Sequence, residues 1–174
     1  LNDCEIRFNG DNGVIYLSRN RALNYSLGVT VHNNSVVYIG KNNYFNGKSR
    51  MVASEQKHII LGDEGLYSLS CWFRASDVHA AYDIESGKRI NLSRSILVGD
   101  HVWLGQSATI LKGSQIGSGS IVGASGVVAG KRLASNTSYG GNPVKPLKQG
   151  IFFTRHSTHG YTDEETESSM NNDS

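Results

Sequence analysis

The sequence predicts an all-β chain wound as a parallel β-helix, a solenoid of six-residue sides, and three observations predict it. Stepping by six from Val98 meets Leu104, Ile110, Ile116, Val122 and Val128, a branched aliphatic every time. Four places after each step stands a small or compact residue, Val102, Ala108, Ser114, Ser120 or Gly126, and Gly99, Gly105, Gly117 and Gly123 directly follow the aliphatics. A period of six fits neither a helix nor an ordinary strand, but it fits short strands joined by tight corners. Each side turns its aliphatic inward, and three sides of roughly eighteen residues close one coil. No side can bury its apolar residue alone, so the coils depend on stacked neighbours.

In chain order, the first sixty residues carry a looser repeat. Leu17, Ile39 and Leu61 end apolar runs that recur every 22 residues, as an eighteen-residue coil with a four-residue bulge would give. Asn9-Gly10-Asp11-Asn12-Gly13 and His32-Asn33-Asn34-Ser35 supply turn residues that tolerate positive φ. Residues 1–60 are therefore read as irregular early coils, with Phe8, Tyr44, Phe45 and Tyr67 filling the wider or capping end of the stack. From Leu61 the register tightens through Tyr67 and Phe73, then breaks before Val98. The polar insert, about Ala80 to Arg94, reads as an excursion loop after His79, and such loops are where solenoids carry function. Regular coils occupy 61–130, and Tyr139-Gly140-Gly141-Asn142-Pro143 is a turn that ends a domain of residues 1–148. The remaining 149–174 form a C-terminal tail. Within it Thr162 and Glu165 match a helix capping box, while the Ser/Asn-rich end reads equally as disordered.

Composition narrows the function classes. A chain of 174 residues suits one domain, and 17 basic against 15 acidic residues leave a net charge of +2, with no field that would gather nucleic acid. Asp163, Glu164, Glu165, Glu167 and Asp173 crowd the last twelve positions, which leaves a basic body suited to a phosphate-bearing ligand. Cys4 and Cys71 are too few for a disulfide framework or a metal site and read as small buried hydrophobes. No apolar run approaches the ~18 residues of a membrane span, and no signal-peptide pattern opens the chain. Cytoplasmic location without membrane insertion is the expectation, although a start at Leu1 rather than Met leaves room for residues upstream.

Several motifs carry a family likeness. Ser76-Asp77-Val78-His79, Arg89-Ile90-Asn91, Gly99-Asp100-His101-Val102-Trp103-Leu104-Gly105, Ile110-Leu111-Lys112-Gly113, Ile116-Gly117, Val122-Gly123-Ala124-Ser125 and Gly141-Asn142-Pro143-Val144-Lys145 follow one another in order. Together, over about Leu61 to Lys148, they resemble the left-handed β-helix acyltransferases of the hexapeptide-repeat family, specifically the O-acetyltransferases of capsule or O-antigen polysaccharides. The resemblance implies a left-handed coil, acetyl-CoA as co-substrate, a sugar or polysaccharide acceptor, a homotrimer with clefts between chains, and no metal.

Acetyl transfer to a hydroxyl needs a base, an oxyanion donor and a grip on both substrates. Among six histidines, His32, His58, His79, His101, His156 and His159, the resemblance selects His79, 24 residues before Trp103, and an imidazole with a pKa near ~6.5 suits a base. Strand alternation would set Asp77 beside His79 to orient the imidazole, the alternative being that Asp77 fixes the turn. Trp103 takes an outward position, where a partner or ligand would cover it. By resemblance it borders the acyl-transfer site, and the backbone N–H of Gln106 is the oxyanion donor. His101 lies on the same outer face, lining the cleft between subunits, and is the second choice for a catalytic role among the residues that would meet substrate. Gly105, Gly123 and Ala124 would leave corners open for the pantetheine arm of the coenzyme. Lys131, Lys145 and Lys148 would meet its phosphates and Pro143 its adenine. Ala129–Asn136 runs one residue longer than the family's turn, which leaves Lys131 and Arg132 as alternatives. Tyr82, Asp83, Arg89 and Asn91 leave the coil beside His79 and are the acceptor candidates. Two other readings remain: an N-acetyltransferase on an amino-sugar nucleotide, and a non-catalytic or metal-dependent solenoid in which several histidines converge.

Overall fold

The computed structural model describes residues 3–20 and 25–170, which wind into a triangular β-solenoid with three six-stranded sheets. The first sheet stacks Asp3–Asn9, Ser26–His32, Ser49–Ala53, Trp72–Arg74, Thr109–Leu111 and Val127–Val128. The second stacks Val14–Leu17, Val36–Ile39, Ile59–Leu61, Ile96–Val98, Gln115–Ile116 and Arg132–Leu133. The third stacks Tyr44–Phe45, Leu66–Tyr67, Trp103–Leu104, Ile121–Val122 and Thr137–Gly140, and ends with Lys145–Gln149 added antiparallel.

The aliphatics of the six-residue repeat point inward and stack in register. Val29, Met51, Phe73, Ile110 and Val128 form one column, and Leu17, Ile39, Leu61, Val98, Ile116 and Leu133 a second. Phe45, Tyr67, Leu104, Val122 and Tyr139 form the third. Nearly all of these side chains are buried, each worth about 1.5–3 kcal/mol over exposure. Corners are turned by residues in the left-handed region, repeated from coil to coil. Between the second and third sheets these are Asn42, Glu64, His101, Gly119 and Asn136, with φ from 51° to 70°.

Two expectations need correction. The regular coils do not end at Gly130: Leu133 and Tyr139 point inward and carry the second and third sheets one coil further. Residues 129–136 accordingly form one side of that coil, drawn tight so that Leu133 still stacks on Ile116. The aromatics divide. Phe45 and Tyr67 lie in the core, whereas Phe8 and Tyr44 are exposed.

Residues 151–155 of the tail hold to the body through Asn136, His101 and Asn42. Thr162 and Glu165 close the capping box, with Thr162 N–H to Glu165 Oε2 at 2.8 Å and Glu165 N–H to Thr162 Oγ1 at 3.2 Å, ahead of the helix Asp163–Met170. Asp173 of the acidic cluster lies outside the described residues. No helix among those residues is long and apolar enough to cross a membrane.

Candidate active site

The excursion leaves the corner between the first and second sheets after Ser76 and rejoins at Ser95, so Asp77 and His79 belong to it rather than to the preceding strand. A three-residue turn opens it. His79 N–H donates to Asp77 C=O at 2.8 Å, and Val78 between them has φ 69°. A β-branched residue is strained in that region, and strain of this kind collects at functional positions.

A knot of polar contacts holds the turn. Asp77 Oδ2 accepts from Lys112 Nζ and from Asn91 Nδ2, which also donates to His79 C=O at 2.8 Å. Lys112 Nζ donates in addition to Asn91 C=O at 3.0 Å. The Lys112 ammonium, helped by Asn91, holds the Asp77 carboxyl below the usual carboxylate range. Asp77 is thus the anchor of the turn and not the partner of the imidazole. The His79 side chain is exposed and has no hydrogen-bond partner among the described residues.

Beyond His79 the excursion is a hairpin, paired between Tyr82 and Arg89. Asp83 accepts from Ser86 N–H at 2.8 Å and Ser86 Oγ at 2.6 Å, which closes the hairpin tip and lowers its carboxyl pKa. Arg89 Nη2 donates to both carboxylate oxygens of Glu55, at 2.8 and 3.1 Å, and ties the hairpin to a neighbouring coil. Of the four acceptor candidates, Asp83 and Asn91 are engaged within the loop and Arg89 with Glu55, while the Tyr82 side chain is 62% exposed.

The other half of the candidate site lies on the third sheet. Trp103 sits on its outer face in register with Ile121, Ser138 and Lys148, so Lys148 stands three strand spacings away, about 14 Å. His101 is not open as expected. Its ring stacks on Phe153 of the tail, with centroids 4.1 Å apart, and its Nε2 meets Phe153 C=O at 2.9 Å. Phe153 also leans on Trp103, 5.8 Å between centroids, so the tail rather than a partner or ligand gives part of that tryptophan's cover.

Next to Trp103, the corner between the third and first sheets differs from most levels of its neighbour in one respect. At the second–third corner the amides after Gly40, Gly62 and Gly99, though not the one after Gly117, donate to a side chain one coil on: Lys41 to Asp63, Asp63 to Asp100, Asp100 to Ser118. At the third–first corner Gln106 faces Ala124, which offers no acceptor, and the Gln106 N–H is unpaired among the described residues. Gly105 is required there by packing, since a Cβ would lie 2.5 Å from Ala124 N, and its corner is filled by the next coil rather than left open. At Gly123 a Cβ would meet the Tyr139 carbonyl at 3.4 Å and Gly140 Cα at 3.9 Å, ordinary contacts.

The proposed phosphate contacts do gather at the C-terminal end. Lys131 Nζ reaches Val144 C=O at 3.5 Å, beside exposed Pro143 after its cis bond, while Lys145 and Lys148 are exposed on the last strand. Cys71 is buried and burial pushes its thiol up to about 12, so it offers no thiolate nucleophile. Among the described residues no three His, Cys, Asp or Glu side chains group as metal ligands. Within one chain, His79 and Gln106 occupy opposite ends of the first sheet. Sequence reasoning gave no role to Lys112 or Phe153, whose partners are 35 and 52 residues away.

Repeat, sheet registers and solenoid make the chain a left-handed hexapeptide-repeat β-helix of the kind that carries acyltransferases. More particularly, it is similar to polysialic acid O-acetyltransferases. It is 40% identical over 121 residues to that of Escherichia coli O1:K1 / APEC, covering 70% of this chain and 39% of the relative. To that of Neisseria meningitidis it is 29% identical over 117 residues, covering 64% of this chain and 54% of the relative. The chain thus spans about half the length, or less, of the curated relatives it matches. The crystal structure of the polySia-specific acetyltransferase NeuO superposes with a TM-score of 0.76 and 26% identity, over 97% of this chain and 71% of that one. No family model matches the chain.

Proposed function

We propose that the chain transfers an acetyl group from acetyl-CoA to a hydroxyl of a bacterial surface polysaccharide or its sugar precursor, and that it does so as a homotrimer. The observation that carries this reading is the unpaired Gln106 amide beside Trp103, on the sheet that leads in register to Lys148. Lys131, Lys145 and Lys148 would hold the coenzyme phosphates, and the pantetheine arm would run along the sheet past Gly123 and Ala124 to Trp103. His79 stands a sheet's width from Gln106 in its own chain, so the base would come from a neighbouring copy.

His79 would take the proton of the acceptor hydroxyl while its oxygen attacks the thioester carbon. The oxyanion that forms would be met by the Gln106 N–H, a contact whose loss typically costs about 10²–10³ in rate. Collapse breaks the carbon–sulfur bond, and the imidazolium returns the proton to the departing thiolate. Similarity to the polysialic acid O-acetyltransferases supports the reaction class. Calorimetric titration of coenzyme A into the purified oligomer tests the reading. Saturable binding near one site per chain is expected, and a folded trimer that binds none would overturn it.

A further inference from the structure

The outer face of the first sheet lies between the corner that carries His79 and the corner that carries Gln106, and no step of the reaction uses it. On one outward ladder of that face Gly28, Arg50, Trp72 and Thr109 stand in register, and on the next Thr30, Val52 and Arg74. Trp72 gathers two cations, with the guanidinium carbons of Arg50 and Arg74 at 5.9 and 5.7 Å from its ring centre. The ring attracts both but neutralises neither. Among the described residues neither guanidinium has a hydrogen bond or an ion pair, and Arg74 Nε is buried without a partner. The carboxylates on or beside this face are taken: Glu5 by Arg7, Asp3 by Lys48, and Asp77, which feels Arg74, by Lys112 and Asn91. Gly28 leaves the sheet hollow beside Arg50, and a groove of about 280 Å³ opens there against Arg7, Thr30 and Trp72.

We propose that this basic shelf binds a multivalent inorganic oxyanion of the phosphate kind, shared by three copies of the chain at the axis of the oligomer. The site rests on the trimer proposed above, in which His79 of one copy serves Gln106 of the next. Each chain then gives one edge of its first sheet to one neighbour and the opposite edge to the other. A closed three-fold ring built in that way turns the face between those edges toward its axis. Three copies of Arg50 and Arg74 would converge there away from water, where unpaired charge is strongly unfavourable. An oxyanion that accepts from several guanidinium forks at once removes that penalty, and arginine is the side chain suited to the task. Thr30 and Thr109 add hydroxyl donors on the same face. The groove is smaller than the ~300–1,000 Å³ of sites for larger organic ligands, which suits a small ion.

The test uses inorganic phosphate as the probe and sodium chloride of equal ionic strength as the control. The full chain carries Lys131→Ala, Lys145→Ala and Lys148→Ala, so that the proposed coenzyme lysines do not compete. Calorimetry is expected to find one phosphate per three chains, and the melting midpoint to rise saturably with phosphate. Adding Arg50→Gln should weaken phosphate binding at least about tenfold. The same chain should melt no lower than its parent in phosphate-free buffer, because it loses a charge that nothing compensates. No phosphate binding, one phosphate per chain, or unchanged affinity in the Arg50→Gln chain would overturn the site. A marked loss of stability without phosphate would overturn it too, since Arg50 would then be paired with a carboxylate of a neighbouring copy. Coenzyme A titrated into the native chain separates the two readings. A trimer that binds coenzyme A but no phosphate in the lysine variant loses the oxyanion site alone. One that binds phosphate at one per three chains but no coenzyme keeps the site and loses the acetyltransferase reading.

Discussion

Trp103 and Lys148 share one ladder position on the third sheet, joined through Ile121 and Ser138. The spacing of strands thereby sets the reach between a tryptophan at the candidate transfer point and an ammonium at the far end of the solenoid. A ligand with a phosphate at one end and a reactive group at the other would be measured by that ladder. Replacing Lys145 and Lys148 together by alanine should weaken coenzyme A binding about tenfold by calorimetry, with turnover at saturating coenzyme little changed. Unchanged affinity would place the phosphates elsewhere.

His79 has no partner for its imidazole, so its removal leaves no orphaned group behind. His79→Ala should retain coenzyme affinity and melting temperature while turnover falls by about 10²–10⁴. Normal turnover in steady-state assays would remove His79 from the mechanism.

Val78 is held at φ 69° between Asp77 and His79. Glycine adopts that conformation without the clash of a branched Cβ, so Val78→Gly should not destabilise the protein and can raise its stability by about 1 kcal/mol in denaturant titration. Turnover should nevertheless fall, because a looser turn no longer aims His79. A marked loss of stability would contradict the strained geometry.

Asp77 carries a depressed pKa through Lys112, so its contribution holds above the ordinary carboxylate value of ~3.9 and is lost as pH falls through the lower folded value. The carboxylate is exposed enough for solvent to screen the pair, so the effect should be local rather than global. Hydrogen exchange in residues 77–94 should therefore speed up below about pH 4 in the native chain. In Asp77→Asn it should be fast at every pH. Identical profiles would show that Lys112 does not hold the loop.

The core was legible because a stacked coil asks the same thing of every sixth residue, and Leu104, Ile110 and Val122 answer alike. Leu133 escaped because one tight side shifts it out of the six-residue count although it still stacks on Ile116. At the site, His79 and Trp103 stood out through their motif, but the work of Asp77 did not. Strand alternation assumes an extended chain, and the positive φ of Val78 breaks it. Arg89 and Asp83 read as ligand contacts because charge in a loop suggests function, whereas Glu55 and Ser86 had already claimed them. The role of Phe153 depends on a chain reversal that no local pattern announces.

That reversal bears on how the molecule comes apart. A linear array held only by contacts between adjacent units opens one unit at a time from whichever end is weaker. Here Asn136, His101 and Asn42, on three different coils, are all gripped by residues 151–155, with Arg155 and Asn42 separated by 113 positions. Opening the C-terminal coil therefore has to peel away a strap that also loads the second, which converts progressive fraying into a more concerted transition and raises the contact order. A chain cut after Gly150 should melt over a broader range and protect its amides unevenly along the axis. The segment beyond the regular repeat thus sets whether the whole array behaves as one cooperative unit.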